Sequence, residues 1–118
     1  MPGSPQAARL DALFHALSDS SRRRMVDQLS QGPASVSELA RPLQLAMPSV
    51  VKHLAVLERG GLVNSEKQGR VRTFRLVPGA LAQVEAWAAE RERTWRQRFD
   101  RLEAFLAATE GGERDGTT

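Results

Sequence analysis

A three-residue link constrains this chain most. Gln44-Leu45-Ala46 joins residues 36–43 to residues 47–60, two segments whose apolar side chains recur at helical spacing. A link this short admits only a tight turn between two helices. Pro48 falls in the first turn of the second segment, where its missing N–H costs no hydrogen bond. Ahead of the first segment, Ser35-Val36-Ser37-Glu38 has the form of a capping box, Ser35 and Glu38 each accepting from the other's backbone amide.

The flanking sequence fills in the rest of the domain. Residues 7–17 place Leu10, Leu13, Phe14 and Leu17 on one helix face, and Asp19 caps a short second helix with Met25, Val26 and Leu29 inward, stopped by Gly32-Pro33. Residues 62–67 and 71–77 are strand-like runs joined by Gln68-Gly69-Arg70, which predicts a hairpin. Past Pro78-Gly79, residues 80–108 read as one helix of roughly 40 Å. Residues 1–6 and the polar, glycine-rich residues 109–118 read as disordered, leaving 7–108 as one domain. The expected class is mainly α with a small β-hairpin: a winged helix-turn-helix with a long C-terminal dimerisation helix.

Composition narrows the chemistry. The 118 residues include no cysteine and no tyrosine, and only His15 and His53 as imidazoles. Disulfides, thiolate metal sites and cysteine nucleophiles are excluded, and neither a metal site nor a cofactor is expected. Ser49 and His53 stand four apart like a nucleophile and its base, but no third group orients the histidine, so the chain does not read as an enzyme. No apolar run reaches the ~18 residues of a membrane span and the first residues lack a signal-peptide core, so a cytoplasmic protein without membrane contact is expected. The formal charge of +3 is unevenly placed: residues 1–77 are basic and the remainder is mixed. That distribution suits a polyanion-binding body joined to a partner-binding helix.

Helix, tight turn, helix and basic hairpin follow in the order of a winged helix-turn-helix, whose second helix enters the DNA major groove. Projection at 100° per residue turns Val50, Leu54 and Leu57 inward and Pro48, Ser49, Lys52, Val56 and Arg59 outward. Lys52 can bond guanine or phosphate and Ser49 can donate or accept, while His53 falls at the border between packing and phosphate contact. In the hairpin, Arg70 and Arg72 share one side, with Lys67 and Arg75 nearby, suiting the minor groove or its phosphates. The candidate DNA contacts are therefore Pro48, Ser49, Lys52, His53, Lys67, Arg70 and Arg72 on double-stranded DNA. In Arg22-Arg23-Arg24 the side chains point apart, Arg22 toward the fold and Arg23 or Arg24 toward phosphate or solvent.

Along the last helix Leu81, Val84, Ala88, Arg91, Trp95, Arg98, Leu102 and Phe105 alternate in steps of three and four, with Trp87, Phe99 and Leu106 flanking. A second copy of the chain is the expected cover. Leu10, Phe14, Leu81, Val84, Trp87, Trp95, Leu102 and Phe105 are the candidate homodimer interface.

Three separated stretches, residues 16–24, 48–63 and 69–76, resemble the ArsR-type (ArsR/SmtB-like) winged-helix repressors. The resemblance covers roughly residues 7–108 and implies a homodimeric repressor built from the first and last helices, binding an inverted repeat. Where metal-sensing relatives carry a cysteine pair, this chain has Val36-Ser37-Glu38-Leu39-Ala40, and its last helix has no histidine, so it resembles the metal-site-lacking branch. Members of that branch often neighbour a gene for a START-type lipid-binding protein. Ala46 replaces a frequent capping Ser or Thr, and Val51 a small polar residue; Val51 then either packs locally or touches a thymine methyl. The competing expectation is a winged-helix protein-interaction adaptor with only non-specific DNA binding. Neither operator nor effector is legible.

Overall fold

The computed structural model describes residues 3–117, with side chains described for 3–110. The chain divides into two compact units, residues 1–84 and 85–118. In chain order the elements are α1 (Pro5–Leu17), α2 (Ser20–Leu29), β1 (Ala34–Ser35), α3 (Val36–Leu43), α4 (Met47–Arg59), β2 (Val63–Gln68), β3 (Val71–Leu76) and α5 (Ala80–Thr117). None of the described helices is long and apolar enough to cross a membrane.

Capping chemistry sets most helix starts. Asp19 accepts from the Arg22 amide at 3.0 Å and opens α2. Ser35 opens α3 with the expected capping box: the Glu38 amide donates to Ser35 Oγ at 3.3 Å and the Ser35 amide to Glu38 Oε1 at 2.9 Å. α1 begins two residues earlier than its apolar stripe suggested, because Ser4 accepts from the Ala7 amide and Pro5 occupies the first turn. Of the N-terminal residues expected to be disordered, 3–6 are thus part of a capped helix start, while 1 and 2 lie outside the described residues.

The helix ends are equally specific. α4 closes in a Schellman motif: the Leu62 amide donates to Leu57 O and the Gly61 amide to Glu58 O, both at 3.0 Å, with Gly61 at φ +77°. Leu57 and Leu62, the apolar pair of that motif, are completely buried. α3 stops at Gln44 in a left-handed conformation (φ 54°, ψ 36°). Pro42 lies inside α3, so the Glu38 carbonyl lacks its usual i+4 donor; Gln28 Nε2 donates to it at 3.0 Å. At the other end of the chain, α5 runs past residue 108 to Thr117 rather than dissolving into a tail. Gly111, Gly112 and Gly116 each cost a helix ~1 kcal/mol, but they keep their amide donors and do not break it as proline would. Thr118 lies outside the described residues.

The hairpin is tighter than read from sequence, with Gln68 paired to Val71 across a two-residue Gly69-Arg70 turn in which Gly69 takes φ +63°. A third strand, β1, was not anticipated. It pairs antiparallel with β3 (Ala34 with Phe74, Ser35 with Thr73), giving the order β1-β3-β2.

The core of the first unit gathers Leu13 and Ala16 of α1, Met25, Val26 and Leu29 of α2, Leu39, Ala40 and Leu43 of α3, and Val50, Leu54 and Leu57 of α4. Leu62, Val63 and Phe74 close it from the sheet, and no polar side chain among the described residues is buried in it. The inward face expected of α4 is the face observed.

Candidate DNA-binding surface

With Val50, Leu54 and Leu57 committed inward, α4 turns its opposite face to solvent, but Val56, expected outward, is half-buried and packs against the core. Pro48, Ser49, Val51 and Lys52 are exposed and His53 is half-buried. At 100° per residue, Pro48 and Lys52 lie opposite the buried face, Ser49 and His53 toward one edge, and Met47 and Val51 toward the other. Ala46, at the N-cap, offers no side-chain acceptor, as its identity requires.

His53 belongs to a small polar joint. Arg22 Nε donates to Ala16 O at 2.8 Å, its Nη2 to His15 O at 3.1 Å, and its Nη1 faces His53 Nδ1 at 3.3 Å. Guanidinium only donates, so this contact is a hydrogen bond when Nδ1 carries no proton. Asp19 Oδ2 lies 3.9 Å from the same Nδ1. The Arg22 amide holds the Asp19 carboxyl below its usual range, partly opposed by desolvation and assisted by the nearby His53 and Arg22. The other arginines of the run also bond backbone: Arg23 donates to Leu17 O at 2.6 Å and Arg24 to Pro42 O at 3.2 Å. Sequence reasoning identified Arg22 as a brace but not its contact with the fourth helix.

In the hairpin, register sorts the charges. Lys67 stands directly opposite Arg72, on the face that continues to buried Phe74, and Arg72 Nη1 donates to Ser65 Oγ at 2.8 Å. Like charges paired this way destabilise a ribbon by themselves. Arg75 lies on the other face, where Glu66 neutralises it at 2.9 Å, and it contributes less free charge than the sequence suggested. Lys52, Lys67 and Arg70 make no ion pair among the described residues.

Between α4 and the hairpin runs a groove of about 360 Å³, lined by Ser35, Val36 and Ser37 at the start of α3, Met47 and Val51 of α4, and Arg70, Val71 and Arg72. It brings together two of the expected DNA contacts, Arg70 and Arg72, with apolar residues that sequence reasoning had not placed beside them. Val51, at 53 % exposed, does not pack locally.

The expected dimer residues fall in both units. In the first, Leu10 and Val84 are half-buried against the core, Phe14 is half-buried, and Leu81 is exposed. In the second, Trp87, Trp95, Leu102 and Phe105 are all exposed along α5, as are the flanking Phe99 and Leu106. Arg91 stacks over the Trp87 ring at 4.8 Å, and the Trp95 and Phe99 rings are 6.3 Å apart. Among the described residues no group of three or more His, Cys, Asp or Glu side chains is placed to hold a metal ion.

Comparison with known proteins agrees with this geometry. A helix-turn-helix domain family model matches residues 17–66. The HTH-type transcriptional regulator Rv2034 of Mycobacterium tuberculosis is 39 % identical over 85 residues, covering 72 % of this chain and 77 % of that protein. The arsenical resistance operon repressor of Escherichia coli is 33 % identical over 96 residues, covering 80 % and 79 %. Among solved structures, an ArsR family transcriptional regulator matches with a TM-score of 0.72 and 44 % identity, covering 81 % of this chain and 97 % of that one. An ArsR-like regulator from Rhodococcus sp. RHA1 gives a TM-score of 0.75 at 28 % identity, covering 86 % and 96 %. The chain is a member of the ArsR family of winged helix-turn-helix transcriptional regulators, DNA-binding proteins rather than enzymes.

Proposed function

We propose that the chain is a cytoplasmic repressor that binds an inverted-repeat operator as a homodimer, with no metal needed to control it. One observation carries the DNA assignment: exposed Ser49 and Lys52 on α4 stand in the same unit as Lys67 and Arg70 of the hairpin, which make no ion pair among the described residues. Lys52, Ser49 and Pro48 enter the major groove with the start of α4, and Lys67, Arg70 and Arg72 hold flanking phosphates or the minor groove. DNA also relieves the repulsion between Lys67 and Arg72, which the isolated hairpin must bear. His53 takes a supporting part, its Nδ1 facing Arg22 Nη1. The exposed aromatic face of α5, with Leu10, Phe14, Leu81 and Val84, supports the dimer.

The test begins with selection of bound fragments from genomic DNA, followed by footprinting and a salt series on the selected site. An inverted repeat is expected, with half-sites about one duplex turn apart. Replacing both Arg70 and Arg72 by alanine should lower the slope of log affinity against log salt by roughly one for each phosphate contact removed. Weak, salt-abolished binding without preference for an inverted repeat would instead identify a protein-interaction adaptor.

A further inference from the structure

The hairpin-side edge of α4 is apolar. Met47 is 48 % exposed and Val51 53 %, and Val71 across the groove is 54 % exposed. One helical turn separates Met47 from Val51, so the two stand adjacent on that edge, while Lys52 and Ser49 occupy the outward face and the far edge. Arg70 and Arg72 line the same groove, with Val36 and the hydroxyl-bearing Ser35 and Ser37. A largely apolar lining with two arginines suits an occupant with a methyl group on an anionic frame. In the major groove thymine alone presents a methyl, and apolar side chains read it.

We infer that Met47 and Val51 form a specificity element that reads thymine methyl groups, so that base preference comes from two flanks of α4: hydrogen bonding at Ser49 and Lys52, methyl contact at Met47 and Val51. The inference rests on the DNA-binding reading above. It makes the valine at position 51 a determinant of the operator rather than a neutral replacement, since an exposed β-branched residue gains nothing for the helix itself.

The probe is a duplex selected from random sequence with the full chain, synthesised once with thymidine and once with deoxyuridine throughout. That exchange removes the C5 methyl groups and keeps every base-pairing group. The wild-type chain should bind the deoxyuridine duplex about fourfold more weakly for each methyl lost from contact, the equivalent of ~0.8 kcal/mol. In a Met47→Ala, Val51→Ala double variant the two duplexes should bind within about twofold of each other, since the apolar contact is gone. Both positions are exposed and alanine is the best helix former, so the variant keeps its fold. Lys52→Ala should weaken both duplexes and leave their ratio unchanged. A wild-type ratio near one, with the selected duplex still preferred over a scrambled one, overturns the methyl reading and leaves DNA binding intact. A ratio that persists in the double variant also overturns it, because the discrimination then comes from duplex shape. Failure to select any duplex overturns both readings.

Discussion

Gln44 is the one non-glycine among the described residues with positive φ, and replacing it by glycine should stabilise the protein. At φ 54° and ψ 36° its Cβ crowds the following carbonyl, a conformation that costs an L-residue ~1–2 kcal/mol. The Gln44 side chain is exposed and makes no hydrogen bond among the described residues, and its amide bonds Arg41 O at 3.4 Å whatever the side chain. Glycine removes the crowding but adds ~0.5–1 kcal/mol of conformational entropy to the unfolded chain, so the net gain is ~0.5–1 kcal/mol. For a chain of this length that raises Tm by about 2–4 °C. Thermal unfolding followed by circular dichroism reads this directly, at one fixed protein concentration because any self-association makes Tm concentration-dependent. Gln44→Val, with a β-branched side chain forced into the same conformation, should shift Tm the other way. A glycine variant no more stable than wild type, with helicity unchanged, would refute the claim that this turn is strained.

Arg22→Ala removes the donors that Ala16 O, His15 O and His53 Nδ1 use, and should cost about 2 kcal/mol in urea unfolding; Arg22→Lys should recover little, lacking the planar fork. Gln28→Ala should cost about 1 kcal/mol in the wild-type background and much less beside Pro42→Ala, whose restored amide satisfies Glu38 O; equal costs in the two backgrounds would refute the pairing. The backbone amides of Arg22 and Ser35 hold Asp19 and Glu38 below their ordinary values of 3.8 and 4.5. Stability from a depressed carboxylate is present above its unfolded value and lost as pH falls through the folded one, so Tm should drop below about pH 4. Asp19→Asn, which keeps a cap without the charge, should flatten that acid limb.

What could be read in advance was whatever depends on neighbours in sequence. The capping box at Ser35, the Asp19 cap, the inward face of α4 and the uncapped Ala46 are all local, and each was legible. β1 was not: Ala34 and Ser35 carry no strand periodicity and become a strand only because Phe74 and Thr73 arrive beside them. The two adjacent glycines show the same limit. Gly61 is needed for its φ, whereas Gly60 is needed for space, since a Cβ there would fall 2.9 Å from Ala16 Cβ and 3.0 Å from Ala12 O. Sequence presents them as one helix stop. The neutralisation of Arg75 by Glu66, nine positions away, required the hairpin register, and the groove at Val51 required the hairpin's position against α4.

Ser35 has two partners at once. Its side chain starts α3, and its backbone lies beside Thr73 in the strand that carries Arg72 and Arg75. The helix-turn-helix and the hairpin are thus joined along β1, through Ala34 beside Phe74 as well as Ser35 beside Thr73, and share one core. On the proposed reading, the span between the α4 side chains offered to the groove and the hairpin side chains offered to phosphate is set during folding, and a duplex has to meet a gauge that is already closed. Little ordering remains to be done on binding, and a half-site whose groove width departs from that gauge is disfavoured even when its bases are correct.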